Sequence, residues 1–323
     1  MRRIIESALT VLAATAAVML LLTVTGLLGF VVWQAWPALQ TGWLFGDTPV
    51  WAALTGAEPV WDGLWPALAG SLCLVGLSVT LALPLGVATG IWQAEAPPGV
   101  WSRLQRSLID LLAGMPSIVM GLFGFVLILL LRRLWPAANT SLMLASLCVA
   151  LLVLPYMALA TRSALAQLPH RLRDTADALG LSRRQAMWHV FLPAIRRDIM
   201  GGVVLALGRA AEDVAVILLT GAVASAGLPH WFGKFEALPF FIMVKANEYR
   251  DEMDLARAFV AALLLLGLAG VAAGASVVAA TGASAGAMVC ASAQATAAAA
   301  NTSVPPRITG LRPRLSAIGP YSN

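Results

Sequence analysis

Five stretches of this chain contain no Asp, Glu, Lys or Arg: Ser7 to Gly46, Gly63 to Ala94, Leu111 to Leu131, Leu134 to Thr161 and Ala258 to Pro306. Each is long enough to supply the roughly 20 apolar residues that a helix needs to cross the hydrocarbon core of a bilayer. A sixth apolar stretch, 199–223, is interrupted only by Arg209, Glu212 and Asp213. With 59% hydrophobic and 11% charged residues and a mean hydropathy of +0.83, the chain lies outside the range of soluble globular domains. The pattern predicts an all-α polytopic membrane protein with six spans, near 8–33, 67–92, 109–131, 141–163, 199–223 and 255–280. The first run is too long for a signal peptide and has no cleavage site before Trp33, so it counts as a span.

The arginines set the orientation. Arg2 and Arg3, Arg103 and Arg106, and the group from Arg162 to Arg197 alternate to one side, which the positive-inside rule makes cytoplasmic. Both termini then lie inside. The opposite loops agree, since 34–66 holds Asp47, Glu58 and Asp62 without Lys or Arg, while Arg132 and Arg133 form a local exception. Trp33, Trp36, Trp43, Trp51, Trp61 and Trp65 cluster around the first outer loop, the depth at which indole rings settle among headgroups. Cys73, Cys148 and Cys290 have no metal-ligand spacing and imply neither a metal nor a disulfide. The net charge of +5 follows from the inside arginines, so it does not imply nucleic acid. The organisation expected is a first helix and outer loop over 1–66, a membrane core over 67–280 and an Ala-, Gly- and Ser-rich cytoplasmic tail over 281–323. A seventh span through 281–300 is the alternative for that tail.

A polar, arginine-rich insert over 164–198 stands out against this background. Gly180 can adopt the left-handed conformation that ends a helix, and Ser182 followed by Gln185 has capping-box spacing for the next one. Two short helices therefore meet at Gly180, and Pro193 sits in the first turn of the helix that follows. Leu179, Leu181, Met187, Val190 and Phe191 supply apolar contacts among the basic residues. The ordinary alternative is an amphipathic cytoplasmic loop with no docking role.

Two further segments carry unusual chemistry for a bilayer. Gly114 and Pro116 fall in the first turns of the third span and predict a broken or flared helix, where backbone N–H groups and the Ser117 hydroxyl can face an anion; alternatively the glycines only allow close packing. Arg209 lies about 15 Å up a helix starting near Ile199, close to the bilayer midplane. Asp213 at i+4 or Glu212 at i+3 offers it a partner, and such buried charges mark either a transport path or an ion pair that holds helices together. No G-x-x-x-x-G-K-[ST] phosphate loop occurs, Gly233-Lys234 having the wrong sequel.

The spacing Asp174-Thr175-Ala176, then Gly180, then Leu192-Pro193 resembles the cytoplasmic "EAA" loop of ABC importer permeases. Residues 64–72, 83–87 leading to Glu95-Ala96-Pro97, 112–124 and 206–213 resemble, together with that loop, the permease subunits of the phosphate-specific importer, over about 60–265. Residues 217–221 and 237–239 lean towards the shorter of its two permeases. The resemblance implies a six-helix, type I importer permease fold in the bacterial inner membrane and no enzymatic activity or cofactor in this chain. ATP is then hydrolysed by a partner ATPase dimer, and the other partners are a second permease, an extracytoplasmic phosphate-binding protein and the lipid bilayer. It also implies a coupling role for Asp174, Thr175, Ala176, Gly180, Leu192 and Pro193, and a substrate path through Arg209, Glu212, Asp213, Pro116 and Ser117. Three departures are present: Asp174-Thr175-Ala176 replaces Glu-Ala-Ala, Glu212-Asp213 replaces Gly-Glu, and the Ala-rich tail has no counterpart. Import of molybdate, tungstate or sulfate, or a non-transporting sensor or scaffold on the same fold, are the other functions such a chain could serve.

Overall fold

The computed structural model describes residues 2–39, 42–134, 139–248, 251–271 and Gly274. All of its regular elements are helices: α1 (Arg2–Leu39), α2 (Val50–Thr55), α3 (Trp65–Glu95), α4 (Val100–Gly114), α5 (Ser117–Leu134), α6 (Leu142–Ala166), α7 (His170–Ala178), α8 (Arg183–Ala186), a π-helical turn (Met187–Phe191), α9 (Leu192–Ala194), α10 (Arg196–Ala211), α11 (Ala215–Thr220), α12 (Leu238–Asn247) and α13 (Glu252–Val271). The expected tail, 281–323, and the seventh span that was its alternative lie outside the described residues.

The centre of the protein is the pair α3 and α6. Gly86 and Gly90 of α3 lie against α6, so closely that a side chain at Gly90 would meet the Ala158 carbonyl oxygen at 2.7 Å. Without a hydrophobic force between helices in lipid, this approach of small residues is what brings backbones into van der Waals contact. Around it, Val75, Val79, Val149, Val153, Met157, Ala206, Ala210 and Val216 form one buried cluster, which ties α10 and α11 to the pair. The internal prolines, Pro84 in α3 and Pro155 in α6, leave these helices continuous, since neighbouring helices re-satisfy the freed backbone groups. At the end of the bundle where α3 begins, Ala35, Ala38, Leu64, Ala67, Leu238, Phe241, Ala256 and Val260 join α1, α3, α12 and α13 in a second cluster.

Two expected spans are not single helices. The break that Gly114 and Pro116 predict in the span 109–131 divides it outright: α4 ends at Gly114 and α5 begins at Ser117. Pro116 is the cause: its ring disfavours the helical conformation of the residue before it, and Met115 is extended, with φ −74° and ψ 130°. Similarly 199–223 divides into α10 and α11, because the Asp213 carboxylate Oδ1 accepts the Val216 N–H at 3.0 Å and starts a new helix. Five helices are therefore long and apolar enough to cross a bilayer among the described residues, rather than six. The first span also runs beyond the expected 8–33, as α1 continues to Leu39, and its apolar window is exposed throughout. The basic turn at Arg132 and Arg133 closes α5, where cations complement the carbonyl end of the helix, and Arg132 Nη2 donates to Asn139 Oδ1 at 2.7 Å.

Candidate functional site

The insert folds as two helical pieces hinged at one glycine. Gly180 has φ +67°, and behind it the Leu181 N–H reaches back to the Ala176 carbonyl at 3.1 Å, which closes α7. Ser182 then caps α8: the Gln185 N–H donates to Ser182 Oγ at 3.4 Å, and the Ser182 N–H donates to Gln185 Oε1 at 3.0 Å. Ala176, Ala186, Met187, Phe191 and Ile195 point inward onto Ala164 and Leu165 at the end of α6, with Ile91 and Ala94 of α3 beside them. The other face is left open. Asp174, Thr175 and Gly180 are exposed, as are Leu179, Arg183, Arg184 and Pro193, while Leu192 is half-buried and Ala176 is covered.

Arg173 joins this element to the membrane helices. Its Nη1 meets Glu95 Oε1, at the last residue of α3, at 3.0 Å, and its Nη2 donates to the Leu165 carbonyl at 3.1 Å. The guanidinium also lies over the Phe191 ring, 5.5 Å from its centroid. Sequence reasoning did not foresee this contact. Glu95 and Arg173 are 78 residues apart, and no periodicity connects them.

The second candidate region is where the two broken helices meet. A side chain at Gly121 of α5 would come within 2.9 Å of the Ala215 carbonyl oxygen of α11, and one at Gly124 would run into Thr220 and stand 2.7 Å from Cys148 Sγ. The glycines of α5 therefore do serve close packing, with α11 as the neighbour. Beside this contact, Asp213 is 2% exposed and its Oδ2 has no hydrogen-bond partner within the chain. Arg209 is half-buried and Glu212 is exposed. Among the described residues no ion pair joins Arg209 to Asp213 or Glu212, because α10 stops at Ala211 and the i,i+4 register stops with it. Pro116 is exposed and Ser117 half-buried at the other break.

At the opposite end of the bundle from the insert, the segment 221–237 folds back over the start of α6, whose first N–H groups donate to the Gly233 and Trp231 carbonyls at 3.2 and 3.0 Å. Glu236 Oε2 accepts the Ser225 N–H at 3.3 Å. Burial pushes its carboxyl up to about 7, with the Ser225 N–H and the Lys245 ammonium pulling the other way. Lys245 is itself paired with Asp254 at 2.7 Å. Among the described residues no group of three His, Cys, Asp or Glu side chains could hold a metal ion.

Residues 86–280 match the family described as binding-protein-dependent transport system inner membrane component. The chain belongs to that family. It is a permease subunit of an ABC transporter and a multi-pass inner-membrane protein, from a family without catalytic activity of its own. The permease is 30% identical over 243 residues to the phosphate transport system permease protein PstA 1 of Mycobacterium tuberculosis, covering 73% of this chain and 76% of the relative. It is 31% identical over 217 residues to the probable ABC transporter permease protein YqgH of Bacillus subtilis, covering 66% and 68%. Among solved structures, the permease resembles a chain of a bacterial ABC transporter involved in the import of the acidic polysaccharide alginate, with a TM-score of 0.55 and 15% identity over 81% of this chain and 94% of that one. A chain of the inward-facing MetNI methionine transporter gives a TM-score of 0.51 at 17% identity, over 70% and 93%. These likenesses establish the fold of ABC importer permeases for this chain, and that fold implies ATPase and binding-protein partners.

Proposed function

We propose that this permease forms, with a second permease, the membrane channel of an importer that carries inorganic phosphate into the cytoplasm by alternating access. The observation that carries the reading is the exposure of Glu212 and half-exposure of Arg209 at the break between α10 and α11, in the stretch 199–223 that the sequence leads us to expect within the membrane. Charged groups at that depth are too costly to face lipid, so this face of the chain must border a water-filled path or another protein. A second permease enclosing such a path meets both requirements. Arg209 lies 13 residues into α10, about 20 Å from its cytoplasmic start; the Asp213 carboxylate is within electrostatic range but no direct ion pair holds the guanidinium, so its donors can turn to an anion. Ser117 and the N–H groups at the start of α5 are neutral donors at the neighbouring break. The solute is taken from the relatives named as phosphate permeases, which include PstC 1 as well as PstA 1 of Mycobacterium tuberculosis.

The exposed face of α7 and α8, with Asp174, Thr175, Gly180 and Pro193, is the docking surface for a cytoplasmic ATPase dimer, which binds the ATP; Ala176 and Leu192 seat that surface on the bundle. An extracytoplasmic phosphate-binding protein delivers solute to the opposite side, and both termini are cytoplasmic. In the assembled importer, uptake of labelled phosphate should be competed by unlabelled phosphate and not by sulfate, molybdate or tungstate. Arg209→Ala should abolish uptake while the protein level stays normal, since no ion pair of this chain is lost. Uptake blocked by another oxyanion, or unaffected by Arg209→Ala, would reject the reading.

A further inference from the structure

We propose that Arg173 and Glu95 form a latch that makes the coupling element and the inner ends of α3 and α6 move as one body, and that this latch, rather than ATPase docking itself, transmits the power stroke. The inference rests on the permease reading above and adds the residues that carry force from the docking surface to the membrane helices.

The geometry demands an arginine. One arm of the guanidinium meets the Glu95 carboxylate at 3.0 Å and another meets the Leu165 carbonyl at 3.1 Å, while its face lies over Phe191. A planar fork of five donors can hold three directions at once, whereas an ammonium is a single point charge. Each contact belongs to a different element. Glu95 ends α3, Leu165 lies in the last turn of α6, where carbonyls lack an intrahelical donor, and Phe191 ends the π-helical turn that leads through α9 into α10. Arg173 itself lies on α7, next to the exposed Asp174 and Thr175. A push on that exposed face therefore reaches, through one side chain, the foot of α10 and so Arg209 at its far end. Apolar packing alone would let α7 slide over Leu165 and Phe191, because such contacts have no fixed direction. The guanidinium fixes the direction. Its side chain and that of Glu95 are 35% and 26% exposed, so the pair sits at the rim of the bundle, beside the face offered to the ATPase.

The test uses the assembled importer, with ATPase subunits and binding protein, reconstituted in vesicles, and compares wild type with Arg173→Met, Arg173→Lys, Glu95→Gln and the charge swap Glu95→Arg with Arg173→Glu. Co-purification of the ATPase should stay within about twofold of wild type in every variant. Stimulation of ATP hydrolysis by the solute-loaded binding protein should fall at least tenfold in Arg173→Met and three- to fivefold in Arg173→Lys and Glu95→Gln, and the charge swap should regain a third or more of it. Loss of ATPase co-purification in Arg173→Met, or wild-type stimulation in that variant, would overturn the latch while leaving the permease reading in place. A wild-type complex that neither binds the ATPase nor responds to the binding protein would instead remove the reading on which the latch rests.

Discussion

Gly180 isolates a backbone effect. Its φ is +67°, and a side chain built there would meet nothing within 4 Å, so any penalty for a substitution comes from conformation rather than crowding. An L residue held in the left-handed region costs about 1–2 kcal/mol, less for Asn, whose side chain bonds locally. Gly180→Val should therefore let the permease insert normally but misplace α8 relative to α7, lowering ATPase co-purification at least fivefold, whereas Gly180→Asn should stay near wild type. Equal binding by both variants would show that the turn is not part of the docking surface. Gly124 is the opposite case, a glycine in ordinary helix that is surrounded. Gly124→Leu has to displace Thr220 or Cys148, and by driving α11 away from α5 it should cost several kcal/mol, seen as a loss of folded protein in detergent at 37 °C.

At the scale of elements, the segment 221–237 carries a titratable group, Glu236, whose effect can be isolated by substitution. The ordinary Glu pKa is near 4.5 and that of Glu236 is raised to about 7, so between these values the folded segment holds a proton that the opened one releases. Its packing is then firmest below pH 4.5, weakens as pH rises from there through 7, and levels off once Glu236 is ionised in both states. Lys245 moderates the effect while remaining paired with Asp254. Amide exchange over 223–237, corrected for intrinsic rates, should speed up between pH 5 and 7 and level off above that in the wild type, and stay flat throughout in Glu236→Gln. A slope that persists in the variant would assign the titration to another group. These same elements mark how far the sequence could be read. The boundaries of α3 and α6 fall within a turn or so of expectation, because charges flank both apolar runs and nothing interrupts them. The breaks at Met115 and Glu212 were harder. Pro116 was visible as a disturbance, yet whether it kinks a membrane helix or divides it depends on what surrounds it, and Pro84 and Pro155 do neither. Asp213 read as a partner for Arg209 because i,i+4 spacing assumes an unbroken helix, and its own carboxylate is what starts the next one. The hinge at Gly180 and the cap at Ser182 were legible since both act within four residues, whereas the Arg173 contact with Glu95 joins distant parts of the chain.

At the scale of the whole molecule, the arginine asymmetry predicts which end of the bundle faces the cytoplasm. In a background with the exposed Cys73 and with Cys290 replaced by Ser, Thr55→Cys should react with a membrane-impermeant thiol reagent added outside intact cells, and Ser182→Cys should react only after permeabilisation. The reverse pattern would invert the protein. Both positions are exposed, so a difference in labelling reports sidedness rather than burial. The long helix α1 stands apart in this arrangement, held by Ala35, Ala38 and the Phe30 ring against Phe259 near its C-terminal end while its residues from Leu9 to Leu27 are exposed. Its threonines satisfy their own hydroxyls on carbonyls three or four residues back, Thr23 on Met19 and Thr25 on Leu21, and ask nothing of a neighbour. For the folding of this chain that helix obeys a solvent and not a partner. Its letters are consequently interchangeable in a way that those of α6 are not: any permutation of its apolar residues leaves the same oil-soluble rod, so a random walk of neutral exchanges can erase its ancestry while the rest of the protein keeps a readable lineage.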